Sequence, residues 1–204
     1  MNCTMEKALE WVGSMKGAER LVAELMLTTG ARLDALLALR IRDLHPSRRR
    51  LTLYDEGRRI EVEVLEELAG DLHQQIQRMR WMYEQDMAKA GRGGWDRQQS
   101  GWRWMDMFLF ADEGIPARRF LGSGLRPARH PADFVNALMV AARRAGIREP
   151  VHSHSLRHIH SQWRLAHGAT IPDLHRNLGH TDVMTTWLYS QSLTRGLQFT
   201  GAAH

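Results

Sequence analysis

The sequence HSLRHIH, residues 154–160, brings three histidines and one arginine together within seven residues. Histidine binds metal ions and titrates near neutral pH, whereas arginine binds phosphate oxygens through its planar guanidinium group. His154, Arg157 and His158 stand at positions i, i+3 and i+4, so a helix would place them on one side. The pattern therefore predicts a metal site, a pH-sensitive surface or a phosphate-binding site.

The metal interpretation depends on His154 and His158, whose spacing is common for two ligands on one helix face. Arg157 lies on the same face, however, and its fixed positive charge repels a metal ion. The predicted helix around them contains no Asp or Glu that would complete a ligand set. We therefore expect no metal and no other cofactor, and a metal-dependent hydrolase is the least favoured alternative.

A phosphate-binding site explains the same residues better than a metal site does. Ser153 is predicted to cap the helix, and the free N–H groups and dipole of a helix N-terminus favour an anion. Arg32 follows the helix stop TTG and begins a second helix, so it has an analogous position. Taken alone, Arg32 would be read as a solvated surface arginine.

The composition agrees with a polyanionic partner. The net charge is +5, and all but Lys7, Lys16 and Lys89 of the 28 basic residues are arginines. Arginine is suited to paired contacts with phosphate oxygens, although genomic base composition alone can also favour it over lysine. Hydrophobic residues at 43% and charged residues at 25% are ordinary globular values and exclude general disorder.

Cysteine usage and hydropathy indicate the compartment. Cys3 is the only cysteine, which excludes an internal disulfide framework and fits a reducing environment. No apolar run approaches the roughly 20 residues that span a bilayer. The charged N-terminal sequence MNCTMEKALEWVG does not resemble a signal peptide. We expect a cytoplasmic protein with no membrane partner.

Hydrophobic periodicity predicts a mainly helical α+β domain with one small antiparallel sheet. One helix ends at Gly30, and the same period resumes through Leu33 to Ile41. Alternation predicts hairpin strands near 50–55 and 59–65 around Asp55-Glu56-Gly57. Further helices are predicted in 66–90, from 131 to a stop at Gly146, from Ser153 to Gly168, and in two short segments opened by Thr170 and Thr181.

Residues 91–128 differ from the rest of the chain. They mix glycines with Trp95, Trp102 and Trp104, and they include the apolar run Met107–Phe110. This composition predicts a partly ordered insertion that ends in a short strand or a buried run. Packing against the body is the simplest interpretation of each tryptophan.

Three segments in this order, TGARLDALLALRIRDL, HSLRH and LGHTDVMTTWLY, resemble the catalytic domain of tyrosine recombinases, the phage integrase family. The resemblance implies that family's catalytic fold, DNA as partner, an oligomer on DNA, and DNA breaking and rejoining through a 3′-phosphotyrosine. The catalytic residues that it implies are Arg32, His154, Arg157, His180 and the nucleophile Tyr189.

Within the family, the segments YEQDMAKAG and WRWMDMFLF resemble integron integrases, the recombinases of a mobile genetic element. Residues 91–128 would then be their added segment, which helps to read extrahelical bases of a folded single-stranded recombination site. The expected partner is therefore double-stranded DNA or folded single-stranded DNA. For Trp102 and Trp104 the resemblance adds base stacking as an alternative to packing.

The sequence departs from the family pattern at the hairpin. The family has a lysine there that protonates the leaving oxygen, whereas this hairpin reads YDEGRRIEV. Arg58 and Arg59 are the candidate replacements, and His158 is a candidate supporting residue. Arginine, with a pKa above about 12, is a poor proton donor. A catalytically impaired DNA-binding remnant of the same fold is therefore the main alternative.

Two further departures concern the surroundings of the arginines. The family glutamate three residues after the first arginine is Ala35 here, with Asp34 one place away, and Ser153 replaces a proline before the second motif. The resemblance also implies a helical N-terminal core-binding domain before the catalytic one. We expect residues 1–204 to form the catalytic domain, with that core-binding domain absent.

Overall fold

The computed structural model describes residues 4–92, 103–116, 119, 125–148 and 150–178. The mainly helical α+β architecture with a small antiparallel sheet is confirmed. The elements in chain order are α1 Met5–Gly13, α2 Gly17–Thr29, α3 Leu33–Leu37, β1 Leu44–His45, β2 Arg50–Asp55, β3 Arg58–Glu63, α4 Ala69–Arg92, α5 Pro131–Arg144, α6 Ser153–Ala166 and α7 Ile171–Leu178.

Helix α2 is the centre of the core and packs against α1, α5 and α6. Its apolar residues are almost all buried, as the predicted stripe requires, and it ends at Gly30 as predicted. Helix α1 had not been predicted. Its Trp11 is fully buried and donates its indole N–H to the Leu138 carbonyl oxygen of α5 at 3.4 Å.

Helix α3 is shorter than the predicted helix, which ran on to Ile41. The backbone leaves the helix after Ala38 because residues 39–41 pair with residues 107–109, within the segment 91–128. Ile41 N–H donates to the Met107 carbonyl at 2.9 Å, and Leu109 N–H donates to the Leu39 carbonyl at 2.8 Å. This long-range pairing overrides the local helical period and makes 107–110 the buried run that the sequence predicted.

The sheet has the strand order β1-β2-β3, with every pairing antiparallel. The predicted hairpin is confirmed, with Asp55 opposite Arg58 at its closed end. Glu56 and Gly57 both have positive φ, 48° and 78°, as a tight two-residue hairpin turn demands. Strand β1, Leu44–His45, had not been predicted.

The C-terminal part of the segment 91–128 is attached to α4 by a buried ion pair. Arg126 donates to both carboxylate oxygens of Asp86 at 2.9 and 3.1 Å, and both side chains are nearly inaccessible. The same guanidinium donates to the carbonyl oxygens of Asp112 and Ile115. These contacts satisfy the buried charge, which would otherwise be costly.

Helix α6 begins differently from the prediction, because its cap is His152 and not Ser153. His152 is extended, and its N–H donates to the Ser155 hydroxyl at 3.2 Å, so Ser153 is already helical. Helix α7 begins after Thr170 as predicted, and the hydroxyl of Thr170 accepts a hydrogen bond from Asp173 N–H. The helix predicted to begin at Thr181 lies outside the described residues.

None of the described helices is both long enough and apolar enough to cross a membrane.

Candidate phosphate-binding site

Arg157 is the most firmly held cation of the candidate site. Its side chain is buried in the fold at 5% exposure, on the face of α6 that also carries Leu156. The guanidinium donates to the Gly30 carbonyl at 2.7 Å and to the Leu178 carbonyl at 2.5 Å. Arg157 therefore joins the ends of α2 and α7, and two neutral acceptors fix its orientation without cancelling its charge.

Gly30 ends α2 at a position where neither the backbone conformation nor the available space suits a side chain. It has φ +71°, a left-handed conformation that side chains with a Cβ rarely adopt. A Cβ at this position would also lie 2.6 Å from Cδ2 of His160, well inside contact distance. The end of α2 thus requires glycine for both backbone and space.

Arg32 reaches the same region from the start of α3. It caps that helix with an extended backbone, and about a third of its side chain is exposed. Its Nε lies 3.4 Å from Oδ2 of Asp55, and its Nη1 donates to Oε1 of Glu56. Arg32 therefore faces the closed end of the hairpin, where it forms ion pairs with two consecutive acidic residues.

Asp55 is the buried carboxylate between these charges. Burial raises the pKa of Asp55 above its ordinary value, while the positive charges of Arg32 and Arg157 act in the opposite direction. The neighbouring charges of Glu56 and Asp34 add to the upward shift. Arg157 donates to the carbonyl of Gly30, two residues before Arg32, so the two predicted arginines both lie at the junction between α2 and α3.

The predicted histidines of α6 differ in exposure. His154 is exposed in the first turn, and its ring meets that of His152 edge-on with centroids 6.1 Å apart. His158 is partly buried, and burial lowers its pKa, with the charge of His152 acting in the same direction. In the described part of the chain, no three His, Cys, Asp or Glu side chains come together as a metal site would need.

His160 is a buried structural histidine next to the site. Its Nδ1 contacts the Leu27 carbonyl oxygen at 2.8 Å, so this nitrogen carries the proton. Its Nε2 is buried without a hydrogen-bond partner among the described residues. Burial lowers the pKa of His160 to about 4, since a second proton would add a charge that nothing accepts.

We expect His160 to make the fold sensitive to acid. Its pKa in the folded protein lies below the unfolded value of about 6.5, so protons favour the unfolded chain. The stabilisation is present above that value and is lost as pH falls towards 4, by about 3 kcal/mol. Urea unfolding should show this slope in the wild type and a flatter one in His160→Gln. Equal slopes in both proteins would contradict the assignment.

The remaining predicted residues are placed as follows. Arg58 lies opposite Asp55 across the hairpin, and Arg59 pairs with Glu61 at 2.8 Å. Trp104 packs on α4, with its ring 5.7 Å from that of Tyr83 and with Arg80 above it at 5.2 Å. Packing therefore accounts for Trp104. The predicted residues Trp102, His180 and Tyr189 lie outside the described residues.

Asp55 and Glu56 were missed as partners of Arg32. They had been read only as the turn of the hairpin. The available signal was the pair of acids at the hairpin where the resembling family has a lysine, beside an early arginine that needs a counter-charge.

The fold is that of a tyrosine recombinase catalytic domain. The chain belongs to the phage integrase family, whose model it matches over residues 4–195. It is similar to an integrase/recombinase of Escherichia coli, with 30% identity over 208 residues, 95% of this chain and 60% of that protein.

Two solved structures share the fold. One is the XerA recombinase, with a TM-score of 0.65 and 19% identity, covering 98% of this chain and 62% of that one. The other is the XerH site-specific recombinase bound to palindromic difH substrate in a post-cleavage complex, with a TM-score of 0.63 and 17% identity, covering 97% of this chain and 50% of that one. The chain thus spans about 60% of the length of the Escherichia coli relative.

Proposed function

We propose that this chain is the catalytic domain of a site-specific DNA recombinase that breaks and rejoins DNA through a 3′-phosphotyrosine. The observation that carries the proposal is that Arg157 of α6 donates to the carbonyl of Gly30, two residues before Arg32, so that arginines from two separate helices lie at the junction between α2 and α3. Two guanidinium groups in one region suit the non-bridging oxygens of a backbone phosphate. Membership of the phage integrase family supports the same reaction.

Each residue type has a role in this reaction. The hydroxyl of Tyr189 attacks the phosphorus, the bond to the 5′ oxygen breaks, and a 5′-hydroxyl leaves after taking up a proton. Arg32 and Arg157 neutralise the charge that grows on the non-bridging oxygens. His154 and His180 donate to the phosphate or move the tyrosine proton. The phosphotyrosine conserves the bond energy, so a second 5′-hydroxyl can reverse the step and rejoin the DNA.

A specific observation favours a second candidate, a DNA-binding remnant with impaired catalysis. The closed end of the hairpin carries Asp55 and Glu56, and both pair with Arg32 in the free protein. A DNA phosphate has to compete with Glu56 for that guanidinium. The sequence also supplies no lysine as proton donor on the hairpin, and loss of a general acid costs about 10²–10⁴-fold in rate.

The finer proposal is an integron-integrase type of recombinase that acts as an oligomer on double-stranded or folded single-stranded DNA. It is supported by the resemblance of YEQDMAKAG and WRWMDMFLF to the added segment of those enzymes. The solved XerH relative is itself bound to DNA. Residues 91–128 are the proposed insertion, and Trp104 within it packs against Tyr83 of α4.

A nicked suicide substrate tests the proposed reaction. Cleavage near the nick releases a short strand, so the covalent protein–DNA product accumulates and is seen as a shifted band on a denaturing gel. We expect this band with the wild type and its loss with Tyr189→Phe. Tyr54→Phe, which alters an exposed tyrosine of β2, is the matched control and should retain the band.

The same assay separates the two candidates. A wild-type protein that binds the DNA in a salt-dependent manner but forms no covalent product would support the remnant and contradict the recombinase.

A further inference from the structure

Two consecutive acids hold two different nitrogen atoms of Arg32. The carboxyl of Asp55 faces Nε at 3.4 Å, and the carboxyl of Glu56 accepts from Nη1. Their exposure differs, since 9% of the Asp55 side chain is accessible and 43% of the Glu56 side chain. Asp55 therefore supports Arg32 from inside the fold, while Glu56 occupies its solvent-facing edge.

Asp55 is also coupled to the second arginine. The positive charge of Arg157 acts on its carboxyl, as does that of Arg32. Two guanidinium groups in the same region repel each other, and a carboxylate that attracts both offsets that repulsion. The hydrogen-bond acceptors of Arg157 on α2 and α7 are neutral carbonyls and do not supply this negative charge.

The backbone fixes Asp55 more firmly than a loop would. Asp55 is the last residue of β2, is buried, and lies opposite Arg58 in the hairpin register. On α3, the buried side chain three residues after Arg32 is the methyl group of Ala35, which cannot accept a hydrogen bond. Within the described residues, the hairpin rather than α3 therefore supplies the buried carboxylate for Arg32.

We propose that Asp55 is a positioning residue of the site, which orients Arg32 through Nε and sets its placement relative to Arg157 for a phosphate. The inference rests on the proposed function, because it names how that site is assembled. Asp55 forms an ion pair with the arginine and does not act on the DNA itself. Its loss is expected to affect the cleavage step more than DNA binding, because it misplaces a group that acts in the transition state.

The first test is kinetic. Asp55→Asn keeps the shape and removes the charge, so we expect formation of the covalent product at saturating DNA to slow about 10²-fold. DNA affinity should stay equal or rise, because one negative charge is removed. Glu63→Gln removes the same charge from the exposed far end of the hairpin and is the matched control, with wild-type rate. If Asp55 only stabilised the fold, Asp55→Asn would reduce the folded fraction. The rate of covalent-product formation would then not fall separately from the DNA affinity.

The second test does not depend on cleavage. In ¹⁵N-arginine-labelled protein without DNA, the Nε–H signal of Arg32, assigned with Arg32→Lys, should be protected from exchange with water. Protection should be lost in Asp55→Asn and kept in Glu56→Gln, because Glu56 contacts Nη1. The proposal would be overturned if Asp55→Asn left the Arg32 signal unchanged. It would also be overturned if Asp55→Asn cleaved as fast as Glu63→Gln. Absence of any wild-type covalent product would refute the proposed function, and the exchange data would still decide whether Asp55 orients Arg32.

Discussion

Replacing Arg157 with lysine is expected to slow formation of the covalent tyrosine–DNA product about 10²–10³-fold, the usual cost of losing a preorganised donor to a developing oxyanion. Lysine keeps the positive charge but lacks the planar fork that reaches the carbonyls of Gly30 and Leu178 together. Its ammonium would also have to be buried at a position that is 5% exposed. DNA affinity should fall much less, since the net charge is unchanged.

The rate of product formation on the nicked substrate measures this effect. Arg164→Lys, which changes a partly exposed arginine farther along α6, is the matched control and should react at the wild-type rate. Equal rates for the two variants would mean that Arg157 only packs the helix ends and does not act on the phosphate.

Gly30→Ala is expected to give the largest loss of stability, about 2–5 kcal/mol in the free energy of unfolding. One part is the left-handed backbone at φ +71°, and the other is the collision of the new Cβ with His160 at 2.6 Å. The change should also disturb Arg157, because Gly30 supplies one of its acceptors.

Urea unfolding of two variants separates the two parts. Gly146 follows α5 with φ +73° and has open space around its Cβ position, so Gly146→Ala should lose only about 1–2 kcal/mol. An equal loss in both variants would show that the contact with His160 does not limit this position.

The sequence was sufficient for the elements that local patterns determine. The apolar stripe of α2 and the alternation of the hairpin predicted both elements and their ends closely. It was insufficient where a distant segment decides the structure. Helix α3 stops early because residues 39–41 pair with 107–110, and no local signal marks a partner so far away.

In the candidate site, too, local spacing predicted some features, whereas long-range contacts decided others. The spacing of His154, Arg157 and His158 predicted one helix face, but their exposure depends on what packs against α6. Arg157 lies against the ends of α2 and α7, whereas His154 is in the exposed first turn. The roles of Asp55 and Glu56 depend on how the hairpin meets α3, a long-range contact that residue types alone do not specify.

The most direct measurement of the central claim is to isolate the covalent protein–DNA product, digest it and locate the nucleotide-bearing peptide by mass spectrometry. The proposed function predicts a nucleotide attached through a 3′ phosphate to Tyr189. Attachment at Tyr54 or Tyr83, the other two tyrosines of the chain, or a DNA complex with no covalent product would contradict it.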